Sequence, residues 1–90
     1  MKIFQSLKFR QAYKKLFKNQ KSAVNEEIKK FLQNPLIGEE KKQDLREIFV
    51  HKFKINSQLY LLAYSFDETS LTLLALEVHE NFYRDLKKNV

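Results

Sequence analysis

The chain has 90 residues, 17 Lys+Arg against 11 Asp+Glu, and no cysteine. That length suits one domain with a modest core, and the absence of cysteine excludes disulfides and thiolate metal sites, as befits a reducing cytoplasm. A net charge of +6 favours an anionic partner such as nucleic acid or an acidic protein, against the plainer alternative of lysines that only solvate the surface.

In chain order, residues 2–8 read as a short strand. Phe9, Ala12, Tyr13, Leu16 and Phe17 then recur at the spacing of an amphipathic helix, with Arg10, Lys14, Lys15 and Lys18 on its other side. Asn19-Gln20-Lys21 reads as a break, and Ser22 as the N-cap of a second helix whose stripe is Val24, Ile28, Phe31 and Leu32. Asn34-Pro35 ends that helix, because proline forces the preceding residue out of helical geometry. The two helices, about 10 residues each, form a hairpin that must bury its stripes on one face of a sheet. Residues 36–45 read as an extended loop, in which Gly38 is expected to adopt a backbone conformation that other residues resist.

From Arg46 onward the pattern changes to a period of two. Arg46–Ile55, Gln58–Phe66 and Leu71–Val78 are apolar or aromatic runs separated by turns at Asn56-Ser57 and Asp67–Ser70, an antiparallel meander. Alternation sets Ile48, Val50, Lys52 and Lys54 on one face of the first strand, and Phe49, His51, Phe53 and Ile55 on the other. On the second strand Tyr60, Leu62 and Tyr64 oppose Leu59, Leu61 and Ala63. On the third, Leu71, Leu73, Ala75 and Glu77 oppose Thr72, Leu74, Leu76 and Val78. A strand apolar on both sides is covered on both, by the helical hairpin and by a short C-terminal helix with the stripe His79, Phe82, Tyr83 and Leu86. The fold class is therefore α+β: a small antiparallel sheet of the N-terminal strand plus the meander, in one domain over residues 1–90.

Lys52 and Lys54 project from one strand face. Two ammonium groups so close repel unless water or an anion lies between them. An RNA phosphate satisfies both and leaves one lysine for proton transfer; solubilising lysines at an exposed strand end are the alternative. His79 and Tyr83, four apart, share a helical face, where a His suits general acid–base work and a Tyr can stack on a base, or both simply pack. His51 lies on the face opposite the lysines and is expected near the helices. Two histidines without a convergent carboxylate set do not make a metal site, and there is no Walker or other Gly-rich phosphate loop. No run approaches the roughly 18 apolar residues of a membrane span, and the N-terminus lacks a signal peptide's apolar core. No cofactor, no metal and no membrane partner are expected.

Three stretches together resemble the RelE/ParE superfamily of toxins from type II toxin–antitoxin systems. They are Lys52-Phe53-Lys54-Ile55, the Tyr60–Tyr64 segment, and His79–Leu86, with residues 35–45 similar to that family's loop before the meander. The resemblance implies a fold related to small microbial ribonucleases and cleavage of mRNA in the ribosomal A site. It implies that Lys52, Lys54, His79 and Tyr83 are catalytic and that Arg46, His51 and Arg84 bind RNA. It further implies a cytoplasmic protein with a cognate antitoxin that meets operator DNA only through the antitoxin complex. RelE-like members carry cations where this chain has Leu61 and, near the end of the last strand, Ala75 and Glu77. Those departures keep open a ParE-like toxin that poisons DNA gyrase without chemistry of its own.

Overall fold

The computed structural model describes residues 2–41 and 48–78. In chain order these are β1 (Lys2–Gln5), α1 (Leu7–Lys14), α2 (Lys18–Gln33), a 3-10 turn at Pro35–Ile37, β2 (Glu39–Lys41), β3 (Ile48–Ile55), β4 (Gln58–Phe66) and β5 (Ser70–Val78). The α+β class expected from the sequence is observed. The strands form one sheet in the order β1-β5-β4-β3-β2. It is mixed rather than antiparallel, because β1 runs parallel to β5, with Lys2 opposite Ser70 and Gln5 opposite Leu73. No helix among the described residues is long and apolar enough to cross a membrane.

The first strand is shorter than residues 2–8 because Ser6 ends it. Its hydroxyl accepts the Phe9 N–H at 3.0 Å, the N-cap of α1, and donates to the Leu74 carbonyl at 2.6 Å. The helix break lies before Lys18 rather than at residues 19–21. Phe17 takes the N-cap position of α2 in extended backbone. A phenyl ring accepts no hydrogen bond, so the end is closed from the other side: Gln20 Oε1 accepts the Phe17 N–H at 2.8 Å, half of a capping box. Phe17 is consequently 75% exposed rather than part of the stripe, and Ser22 lies inside α2. Asn34 ends the helix as expected, its side chain accepting the Leu36 N–H that opens the 3-10 turn.

Both helices pack on one sheet face. Phe9, Val24 and Phe31 join Phe49, Phe53, Ile55, Leu62, Tyr64, Leu71, Leu73 and Leu76 in the main core. The opposite face carries a second cluster of Val50, Leu61, Ala63 and Ala75, with Ile48 and Leu74 against it. The expected alternation holds on β3 and β4 but not along β5. Ala63 faces Ala75 while Tyr64 faces Leu73, so Leu74 is an extra residue, a β-bulge. Residues before the bulge keep their face, and Ala75 and Leu76 exchange theirs. The Ser6 hydroxyl holds the carbonyl of that bulged residue.

Two turns follow local chemistry. Asn56 and Ser57 both have positive φ, 50° and 71°, the mirror-image turn that suits a two-residue hairpin. At the β4–β5 turn, Asp67 Oδ1 accepts the backbone N–H of Thr69 at 2.9 Å and of Ser70 at 2.8 Å, and both hydroxyls as well. Those bonds, led by the Thr69 N–H, hold its carboxyl below the usual value.

Gly38 departs from the expectation in an instructive way. Its backbone is ordinary extended chain, φ −73° and ψ 160°. Space, not conformation, requires glycine: a Cβ there would lie 2.5 Å from Tyr64 Oη. The segment expected to be one loop contains the 3-10 turn and β2, which pairs antiparallel with β3. The short C-terminal helix lies outside the described residues.

Candidate functional site

β3 lies between β2 and β4; β2 pairs with it at Ile48–Val50, and the described partner of its Lys52–Lys54 segment is β4. Its alternation buries Phe53 and Ile55 beneath the helices and leaves Lys52 and Lys54 exposed on the opposite face. The two lysines stand about 7 Å apart along the strand. Among the described residues no carboxylate pairs with either. An anion between them therefore meets two positive charges, with no competing carboxylate among the described residues.

The register places their neighbours. Lys52 faces Leu61 on β4, which faces Glu77 on β5; Lys54 faces Leu59. Cross-strand partners share a face, so Lys52, Leu61 and Glu77 form one row. Leu61 is fully buried and packs with Val50, Ala63 and Ala75, as an apolar anchor beside the lysines. Glu77 lies two strand spacings from Lys52, about 10 Å between backbones. Its Oε1 instead meets Lys8 Nζ at 3.1 Å, while Oε2 is buried and has no hydrogen-bond partner among the described residues. The two positions at which the resemblance leads one to expect cations are thus a core leucine and a carboxylate tied to α1.

His51 does not join the lysines. It sits on the helical face, its Nε2 2.7 Å from Glu27 Oε1, with its ring edge-on to Phe31 and stacked on Phe53. Glu27 also accepts from Lys30 at 2.8 Å. Burial raises the Glu27 pKa, but the hydrogen bonds from Lys30 and His51 outweigh it, so the carboxyl titrates below its usual value. This arrangement ties α2 to β3. Arg46, His79, Tyr83 and Arg84 lie outside the described residues. The structure therefore brings together Lys52 and Lys54, and separates His51 from them.

Two contributors escaped the sequence reading. Lys8 was one more basic residue of a weak segment, and nothing local pairs it with a strand 69 residues on. Tyr64 is the other. Fully buried, it stacks on Phe31 with ring centroids 4.2 Å apart, donates to the Pro35 carbonyl at 2.5 Å and accepts the Gly38 N–H at 3.2 Å. Burial pushes its hydroxyl pKa up, against a smaller opposing effect of the Gly38 bond. It fixes the segment that leads into the edge strand β2, and so helps to place β3.

Comparison with known proteins gives this arrangement a context. A family model described as "ParE-like toxin of type II bacterial toxin-antitoxin system" matches residues 3–87. Among solved structures, the chain is similar to the toxin in the intact E. coli RelBE toxin–antitoxin complex, at TM-score 0.68 and 15% identity, covering 86% of this chain and 94% of that one. It is similar to the isolated E. coli RelE toxin at TM-score 0.67 and 15% identity, covering 99% and 98%. The YoeB/ParE toxin from Agrobacterium tumefaciens gives 0.67 and 17%, covering 88% and 99%. At these identities the likeness is one of fold. No curated protein sequence matches.

Proposed function

The chain belongs to the ParE-like toxin family of type II bacterial toxin–antitoxin systems, and from that premise we propose that it is a toxin that inhibits translation by cutting mRNA on the ribosome. The observation that carries this reading is the exposed Lys52–Lys54 face, with no carboxylate partner among the described residues, on a strand paired with β4 from Phe49 to Ile55. Lys52 holds a non-bridging phosphate oxygen. Lys54, in its amine form, accepts the proton of a ribose 2′-hydroxyl. The 2′-oxygen then attacks the adjacent phosphorus, the P–O5′ bond breaks, and protonated His79 delivers a proton to the departing oxygen. The ends are a 2′,3′-cyclic phosphate and a 5′-hydroxyl, and Tyr83 orients the nucleotide. Arg46 and Arg84 add positive charge along the RNA. The step needs no metal and no cofactor. His51, engaged by Glu27, is left to hold the scaffold.

A cognate antitoxin is the natural protein partner, an assembly supported by the likeness to the toxin of the RelBE complex. A second reading, a poison of DNA gyrase, is favoured by buried Leu61 and by Glu77, which leave the lysine face short of the cations that stabilise a transferring phosphoryl group.

Induction of the protein in a coupled translation extract, with primer extension on the mRNA, separates the two. The nuclease reading expects ribosome-dependent breaks that disappear in Lys54→Ala and fall by about 10²-fold or more in Lys52→Ala. Intact mRNA together with accumulating gyrase–DNA cleavage complexes overturns it.

A further inference from the structure

A second basic surface lies away from the lysine strand. Gln5 of β1, Leu7, Arg10, Gln11, Tyr13 and Lys14 at and along α1, and Lys21 of α2 line an open cleft of about 500 Å³. We infer that this cleft binds the phosphodiester backbone of duplex RNA, independently of the Lys52–Lys54 face.

Among the described residues, every charged one lining it is a cation. None of the three has a carboxylate partner among the described residues, although elsewhere on the helices Lys8, Lys29 and Lys30 are all paired with acids. Three unneutralised cations around one concavity focus a positive potential that an anion relieves. Arg10 and Lys14 stand one helical turn apart, about 6 Å, so both can face one stretch of an anionic backbone. The Gln5 and Gln11 amides add neutral donors for phosphate oxygens.

Recognition here is by charge and shape, not by stacking on a base. The Tyr13 ring is already engaged: Phe9 stacks on it at 5.9 Å, the Lys21 ammonium sits 5.6 Å from its centroid, and its hydroxyl donates to Asn25 at 2.9 Å. Surfaces for single strands combine charge with open aromatic platforms, whereas duplex RNA is read through its phosphates and shape. The cleft fits the second description.

Its position makes it distinct from the lysine strand. It lies at β1 and the helices, on one sheet face; Lys52 and Lys54 lie on the other face of β3, three strand steps or about 14 Å across the sheet. A large structured RNA can meet the cleft while a single strand meets the lysines.

The test is fluorescence anisotropy of a labelled RNA duplex of about 16 base pairs, titrated with protein from 50 to 200 mM salt. Wild-type protein binds with a steep salt slope. In Arg10→Gln/Lys14→Gln/Lys21→Gln the slope flattens by about 2–3, and affinity at 50 mM salt falls at least about 10-fold, as the loss of three phosphate contacts requires. Lys14→Arg/Lys21→Arg retains binding, which separates charge from folding, and an unchanged far-ultraviolet spectrum and melting temperature check the triple variant. Lys52→Gln/Lys54→Gln retains the cleft's share of the slope. Binding by the triple variant with wild-type affinity and slope overturns the inference. So does unchanged duplex binding with loss of affinity for a poly-glutamate peptide, which would make the cleft a protein-docking site. Duplex binding is read without cleavage, so failure of the nuclease reading leaves this result standing, and the reverse holds too.

Discussion

Replacing Tyr64 with Phe keeps the ring and its stacking on Phe31 and deletes one oxygen. That oxygen serves two backbone groups: the Pro35 carbonyl, to which it donates, and the Gly38 N–H, from which it accepts. Each partner loses a net hydrogen bond and stays partly shielded from water, at about 1–3 kcal/mol for a fully buried group. Because these groups are only part-buried, the lower half of that range, about 1–2 kcal/mol each, applies, and Tyr64→Phe costs about 2–4 kcal/mol together. Gly38→Ala attacks the same contact from the other side. Its Cβ would sit 2.5 Å from the hydroxyl and 3.1 Å from two ring carbons, so the ring or the 3-10 turn must move, at about 1–3 kcal/mol. The two substitutions share one defect. Urea unfolding of both single variants and the double variant, read at unchanged m-values, should give a double cost smaller than the sum by about 1 kcal/mol. Additivity within about 0.3–0.5 kcal/mol, or a Tyr64→Phe cost below about 0.5 kcal/mol, refutes the reasoning. Alkali gives an independent reading. Burial raises the Tyr64 pKa above its usual value of 10.0. The neutral hydroxyl's contribution is then fully present below pH 10 and is lost as pH rises through the higher folded value. Tyr64→Phe should therefore destabilise less at pH 11 than at pH 8.

The remaining predictions concern other contacts. Glu27 titrates below its usual value of 4.5, so its stabilisation is present above pH 4.5 and is lost as pH falls through the folded value. Glu27→Gln should flatten the acid side of a melting-temperature profile below pH 4.5. Lys8→Ala leaves the Glu77 carboxylate without its cation and should cost about 1 kcal/mol in urea, with Lys8 itself half-exposed. Leu61→Ala opens a void in the second cluster and should cost about 2–5 kcal/mol by the same measurement. Asp67→Ala removes four acceptor bonds from the β4–β5 turn and should lower the melting temperature; the effect should vanish as acid protonates the wild-type carboxyl.

What was legible in the sequence follows the range of the interactions that fix each element. Gln58–Phe66 is read with both ends correct, because its alternation and flanking turns are local. The faces of β3 follow from the same rule, and so does the exposure of the lysine pair. Phe17 misleads because it continues the helical stripe of the residues before it while its backbone begins the next helix. Gln20, at the third position of α2, is the sequence signal that marks that start. The Leu74 bulge has no local signature; its carbonyl is held by Ser6, 68 residues away. The parallel β1–β5 pairing is invisible for the same reason, and the role of Gly38 needs the Tyr64 ring that crowds it. At the candidate site, composition and period two supply the lysines, whereas the Lys8–Glu77 and His51–Glu27 pairs exist only through tertiary packing.

The parallel pairing also constrains when the molecule becomes complete. The earliest strand of the chain has its only strand partner in the last described one. Until β5 exists, β1 has no ladder to join, the cap that Ser6 offers α1 lacks its anchor at Leu74, and Glu77 is not there to meet Lys8. Contacts of such sequence separation form slowly because they close a long loop before they stabilise anything. Nascent chains thus acquire the β1–β5 edge of the sheet late, whereas β3 and β4, joined by a two-residue turn, can pair before β5 is made.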